Sequence, residues 1–164
     1  MTLDPRGYGV CRILYKGARE FTGEPLSVHA AKGLIAHIQK NDLVYILTGF
    51  VLLPWKKAEM DGIVSSMMLA RFLIKAFDCT PVVIVPEESM QAVRQLACVL
   101  GFHLYDTIEE AQEFPFSMCA VSFTKKDEEA VAQSDELLAH GVPSAIITNE
   151  APGRNLCGEY HNAV

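Results

Sequence analysis

Apolar residues recur along the chain at two spacings, and segments of each kind alternate. Leu26, Ala30, Leu34 and Ile38 share one helical face and predict a helix over 26–39. The run 43–48, LVYILT, is short, almost wholly apolar and closed by Gly49, the pattern of a strand buried on both faces. A loop over 49–61 leads into a predicted helix over 62–77, where Val64, Met67, Met68, Phe72, Leu73 and Ala76 keep helical register without a proline. The order repeats downstream, with strands at 81–85, 102–105, 118–123 and 144–148. Between them lie helices at 89–100, 108–113 and 127–140, the last closed by Gly141. Residues 1–24 carry Gly7, Gly9, Gly17 and Gly23 among scattered charges and read as loops with one short strand at 10–15.

Strand–helix alternation with short connections predicts an α/β chain. The expected architecture is a Rossmann-like three-layer fold with a mainly parallel sheet, helices on both faces and right-handed crossovers. No repeat, low-complexity tract or linker divides the sequence, so a single domain over 1–164 is expected. In such sheets ligands collect beyond the carboxyl ends of the strands, where helix N-termini point their amides. Three segments hold those positions: the 48–62 loop, the 86–89 turn and the segment after Thr148.

The 164 residues hold 14 Lys and Arg against 20 Asp and Glu, a net charge of −6. That balance offers no basic footprint, so nucleic acid is not expected as a partner. Half the residues are apolar, enough for a sizeable core and outside the composition of disordered chains. The longest apolar runs fall short of the roughly 20 residues a membrane helix needs. Residues 1–9 lack the pattern of a secretory leader, so no membrane association is expected. Five cysteines, widely spaced and without a CxxC pair, read as reduced thiols in a cytoplasmic protein.

Two segments carry the densest candidate chemistry. The loop TGFVLLPWKKAEMDG sets Glu59 and Asp61 at a helix start. Two carboxylates there serve either as caps for the free amides or as a base and an ammonium-orienting partner. The tail NEAPGRNLCGEYHN follows the last strand and gathers Glu150, Arg154, Glu159, Tyr160, His161 and Asn162. Pro152 and Gly153 impose a turn that presents Arg154, whose planar fork suits a carboxylate or phosphate, although a polar terminus also frays readily. Other features are weaker. GYGVCR at 7–12 lacks the third glycine of a dinucleotide fingerprint and follows no predicted strand. His29 and His37 are two turns apart rather than one, unlike a helical metal pair, and Met67 and Met68 read as core. Asp and Glu oxygens would suit magnesium or manganese, but no spacing specifies a metal site and no cofactor is certain.

These residues resemble the C-terminal domain of D-glutamate cyclases. There a buried strand runs into a TGF loop, the loop closes on an ETDGP-like motif at a helix start, and a later strand precedes ERPGR and a GxYxN-like element. The matching positions are Thr48, Gly49 and Phe50; Glu59, Asp61 and Gly62; Glu150, Pro152, Gly153 and Arg154; and Gly158, Tyr160 and Asn162. DPRG, from Asp4 to Gly7, also looks like the family's DxxxRG segment with shorter spacing, so the resemblance spans nearly the whole chain. Met60, Ile63 and Ala151 stand where the family has threonine, proline and arginine. The family domain continues past the YxN element whereas this chain stops at Val164, so a fragment or a short form lacking part of the site is expected.

The resemblance implies a lyase that converts D-glutamate to 5-oxo-D-proline with loss of water. That chemistry needs the α-ammonium deprotonated, the γ-carboxylate folded back onto it, and an acid for the departing hydroxide. On this reading Glu59 and Asp61 act on the amine, and Tyr160 and His161 supply the acid. Arg154 takes a substrate carboxylate, the Gly62 amide binds an anion, and Thr48, Gly49, Phe50, Glu150, Gly153 and Asn162 complete the substrate site. The alternative is a non-catalytic domain that binds an anionic amino acid or related metabolite. A third reading makes the apolar 50–55 loop an interface between copies in a homo-oligomer.

Overall fold

A computed structural model of the chain describes residues 10–52, 55–151 and 153–159. The chain divides into two compact units, one ending at His37 and the other running from Ile38.

Over its described residues the first unit is helical and corrects the expectation for 10–24. Instead of a strand at 10–15 there is a helix, α1 (Val10–Thr22), followed by α2 (Leu26–His37). Ile13, Gly17 and Phe21 lie four apart and Leu14 and Ala18 share the same stripe, with Arg12, Lys16 and Arg19 off it. That is helical spacing, but a six-residue window cannot separate it from a strand. Gly17 is therefore helix interior rather than punctuation. The break comes at Gly23, in left-handed conformation with φ +74°, whose amide donates to the Arg19 carbonyl at 2.9 Å.

The second unit follows the predicted alternation closely. Strand β1 (Leu43–Leu47) leads through a small hairpin, β2 (Val51–Leu52) and β3 (Lys57–Ala58), to α3 (Met60–Phe77). Then come β4 (Thr80–Val85), α4 (Glu87–Leu100), β5 (His103–Tyr105), α5 (Ile108–Glu113), β6 (Ser117–Ser122), α6 (Asp127–Ala139) and β7 (Ala145–Thr148). The main sheet has the order β5-β6-β4-β1-β7 with every pairing parallel. Register places Tyr45 opposite both Val82 and Ile146. β4 is buried along its whole length and β1 for its first four residues, while β7 alternates half-buried with exposed. The apolar-run strands are thus the central ones and the last strand is an edge.

Alternation of side chains across the pleat divides the core in two. Leu43, Tyr45, Val82, Ile84 and Cys119 point to the face covered by Ile108 and Ala111 of α5 and Leu137 of α6. The Tyr45 hydroxyl donates to the Leu137 carbonyl at 2.7 Å and ties α6 to β1. Burial pushes the Cys119 thiol up to about 12 and the Cys79 thiol up to about 11. On the opposite face α3 and α4 pack on the sheet and on each other through Ile63, Met67, Ala70 and Leu73 of α3 and Val93 and Ala97 of α4. This is the expected Rossmann-like three-layer arrangement. Among the described residues no helix is long and apolar enough to cross a membrane.

Candidate functional site

The carboxyl ends of β7, β1 and β4 lie side by side, and the three segments leaving them meet there. Thr48, directly after β1, remains in the sheet's hydrogen-bond pattern, its amide donating to the Ile84 carbonyl at 3.1 Å. Asn149, directly after β7, likewise donates its amide to the Leu47 carbonyl at 2.9 Å. Both side chains are thereby delivered to one edge of the sheet.

The expected 49–61 loop is organised by its hairpin. The Glu59 amide donates to the Phe50 carbonyl at 2.8 Å, closing the base and bringing the two ends of the loop together. α3 begins at Met60, so Glu59 is its N-cap residue and Asp61 lies in its first turn. The Glu59 side chain makes no capping bond. Asp61 Oδ1 instead accepts from the Gly62 amide at 2.8 Å, so the anion on that amide is the chain's own carboxylate.

Gly62 is the point of convergence. A Cβ built on it would stand 2.6 Å from the Glu150 Cβ and 2.9 Å from the Thr48 Oγ1. Only glycine permits this approach of the helix start to the two strand ends. Asn149 reinforces the junction: its Nδ2 donates to the Gly62 carbonyl at 3.2 Å, to Ser65 Oγ at 2.8 Å and to Ser66 Oγ at 2.9 Å. Glu150, immediately after it, adopts φ +47°, a left-handed conformation uncommon outside glycine and asparagine, which turns the tail across Gly62.

Gly49 makes the second close contact. At φ +119°, a Cβ there would stand 2.2 Å from Pro86 Cδ and 3.4 Å from Ser89 Oγ, so the turn after β1 lies directly on the turn after β4. Thr48 and Ser89 are 4% and 0% exposed, and neither hydroxyl has a hydrogen-bond partner among the described residues.

The structure therefore brings Thr48, Gly49, Phe50, Glu59, Asp61, Gly62 and Glu150 into one neighbourhood. Arg154 is engaged at the start of α6, where its Nη2 lies 2.9 Å from both carboxylate oxygens of Asp127. Gly153 is exposed beside it. Tyr160, His161 and Asn162, together with Pro152 and the DPRG segment, lie outside the described residues. Sequence reasoning passed over Ser89, Asn149, Ser65, Ser66 and Asp127. Asn149 opens the tail already singled out, and Ser89 ends the 86–89 turn, so position carried a signal for both.

Two other regions draw less weight. β4 runs out to α4 on one face and β6 to α6 on the other, which makes a crevice between their ends. It is spanned by Lys125, 2.5 Å from Glu88 Oε1, and this bond holds the Glu88 carboxyl below the usual range. A cavity of about 310 Å³ lined by Asp106, Glu109, Cys119, Glu136 and His140 lies between α5 and α6 and contains none of the motif residues. Among the described residues no group of three His, Cys, Asp or Glu side chains is placed to hold a metal ion.

In comparison with known families, the family model for the D-glutamate cyclase-like, C-terminal domain matches residues 1–164. No curated protein and no solved structure matches the chain.

Proposed function

The chain belongs to the D-glutamate cyclase-like C-terminal family, and from that membership we propose that it cyclises D-glutamate to 5-oxo-D-proline with loss of water. The observation that supports this most is the meeting of Thr48, Gly62 and Glu150 within van der Waals reach. The two ends of one loop and a tail distant in sequence make one polar site there, at the sheet end where α/β proteins bind small ligands.

Cyclisation forms a bond from the α-nitrogen to the γ-carboxyl carbon and breaks one from that carbon to oxygen, which leaves as water. The α-ammonium must first lose a proton. Glu59, whose carboxylate makes no capping bond, is the base in this proposal, with Asp61 and Glu150 orienting the ammonium. Arg154 takes a substrate carboxylate by exchanging Asp127 for it, and Tyr160 or His161 protonates the leaving oxygen. Holding the γ-carboxyl folded back on the amine supplies the larger part of the acceleration, because the reaction is intramolecular once the chain is bent. The substrate is an acidic amino acid and the setting cytoplasmic in this reading, which requires no metal-dependent step.

The experiment is incubation of the full chain with D-glutamate or L-glutamate, with and without magnesium or manganese, following 5-oxoproline by chiral chromatography. Product from the D-isomer that disappears in Glu59→Gln supports the reading. The Arg154–Asp127 pair favours a second reading, a domain that binds an anionic amino acid without turning it over. Thermal stabilisation by D-glutamate without product would select that one, and neither product nor stabilisation would remove both.

A further inference from the structure

Buried hydroxyls are almost always paired, and an unpaired one is a cost that folded proteins rarely carry without a reason. Thr48 Oγ1 and Ser89 Oγ are both in that state among the described residues, and they flank the same glycine. Thr48 precedes Gly49 in the chain, and Ser89 Oγ lies 3.4 Å from the position a Gly49 Cβ would take. Ser89 heads the buried stripe of α4, followed at four-residue steps by Val93 and Ala97, so its hydroxyl is carried against the sheet end, while Thr48 follows β1 directly. Ser89 is in the first turn of α4, the positive end of a fourteen-residue helix whose N-cap, Pro86, makes no side-chain bond. Thr48 sits against Gly62, in the first turn of α3.

The geometry points to a carboxylate seat made by the Thr48 and Ser89 hydroxyls, with Ser89 as a ligand-binding residue. This rests on the proposed site for an acidic amino acid and deepens it by naming which side chains hold one of the ligand's carboxylates. The ligand's ammonium then lies toward Glu59, Asp61 and Glu150, and a carboxylate toward two hydroxyl donors at two helix starts. With the turn as it stands both hydroxyls are buried, Ser89 beside Gly49 and Thr48 beside Gly62, so in this proposal a ligand reaches them by displacing the Thr48–Gly49–Phe50 backbone. Glycine at φ +119° is suited to that movement, since it crosses backbone conformations closed to other residues. The liganded state would satisfy two groups that have no partner among the described residues, and that difference favours the bound form.

Ser89→Ala and Thr48→Val, each removing a hydroxyl at nearly constant shape, separate this role from a structural one. The full chain and both variants are titrated calorimetrically with D-glutamate and with glutarate, which keeps the carboxylates and lacks the ammonium, and melted without ligand. The expected result is about tenfold weaker binding of both ligands by each variant, together with an unliganded Tm equal to or above that of the wild type. A Ser89→Ala protein that binds D-glutamate as tightly as the wild type overturns the seat and leaves the proposed site standing. So does weaker binding that comes with a lowered unliganded Tm in both variants, which would mark the hydroxyls as structural. A wild-type chain that binds neither ligand overturns both the seat and the site.

Discussion

Gly62, in the first turn of α3, and Glu150, just past β7, approach so closely that a single methyl group on Gly62 would stand 2.6 Å from the Glu150 Cβ. Two motifs from distant parts of the sequence are held in register by the absence of a side chain. Gly62→Ala has to push the tail off α3, with Thr48 Oγ1 at 2.9 Å blocking the other direction. Overpacking of this kind costs about 1–3 kcal/mol. We expect a Tm lowered by several degrees and loss of the stabilisation by D-glutamate. A variant that melts and responds like the wild type would show that the two segments do not pack this way.

Asn149 makes a second, polar clamp on the same junction. Its Nδ2 is shared among the Gly62 carbonyl and the hydroxyls of Ser65 and Ser66, and Ser66 is fully buried. Asn149→Ala withdraws that donor and should lower the unfolding free energy by about 1–3 kcal/mol in urea titrations. Adding Ser66→Ala should then cost less than it does in the wild type, because the two changes remove the same bond. Full additivity would contradict the bond.

The parts of this fold legible in sequence are those with a period to read. The run LVYILT announced a central strand because a strand covered on both faces has no polar alternation, and α5 was readable at 108–113 with both bounds as observed. α1 was misread because Gly17 looked like a break, whereas the helix keeps a continuous stripe through it. The β2–β3 hairpin has two residues per strand, too few for any period. At the site, Glu59, Asp61 and Gly62 were visible from their place at a helix start. Ser89 was marked only as the end of the 86–89 turn and Asp127 not at all, because their significance lies in what other chain segments bring to them: Gly49 in one case, Arg154 in the other.

Cys119 lies in the core under α5 and α6, and burial raises its thiol to about 12, with Cys79 at about 11. In the unfolded chain both ionise near the ordinary value of about 9. Above that pH the unfolded state releases protons that the folded state retains. The stability these thiols contribute is therefore complete below about pH 9 and lost as pH rises toward 12. Thermal melts from pH 8 to 11 should show a falling Tm whose slope is reduced in Cys119→Ala. Exposed Cys98 should react with a thiol reagent in the native protein, whereas Cys79 and Cys119 should react only after denaturant is added.

Arg154 pairs with Asp127 through one guanidinium nitrogen, Nη2, shared between both carboxylate oxygens, and both side chains are substantially open to solvent. Such a pair contributes at most about 1 kcal/mol, so a substrate carboxylate can replace Asp127 at little expense. If Arg154 serves the ligand, Asp127 is its competitor, and the two substitutions must act in opposite directions. Asp127→Ala should tighten D-glutamate binding by up to about fivefold, the most that releasing an exposed pair can return. Arg154→Ala should weaken it by about tenfold or more, since a bidentate charged contact is lost. Raising the salt concentration should reduce the gain in Asp127→Ala, because the pair it removes is already screened in the wild type. Calorimetric titrations of the two variants at low and high salt read all three effects. Weakening by both substitutions would mean instead that the ion pair fixes the tail in its working position and that Arg154 acts without leaving Asp127.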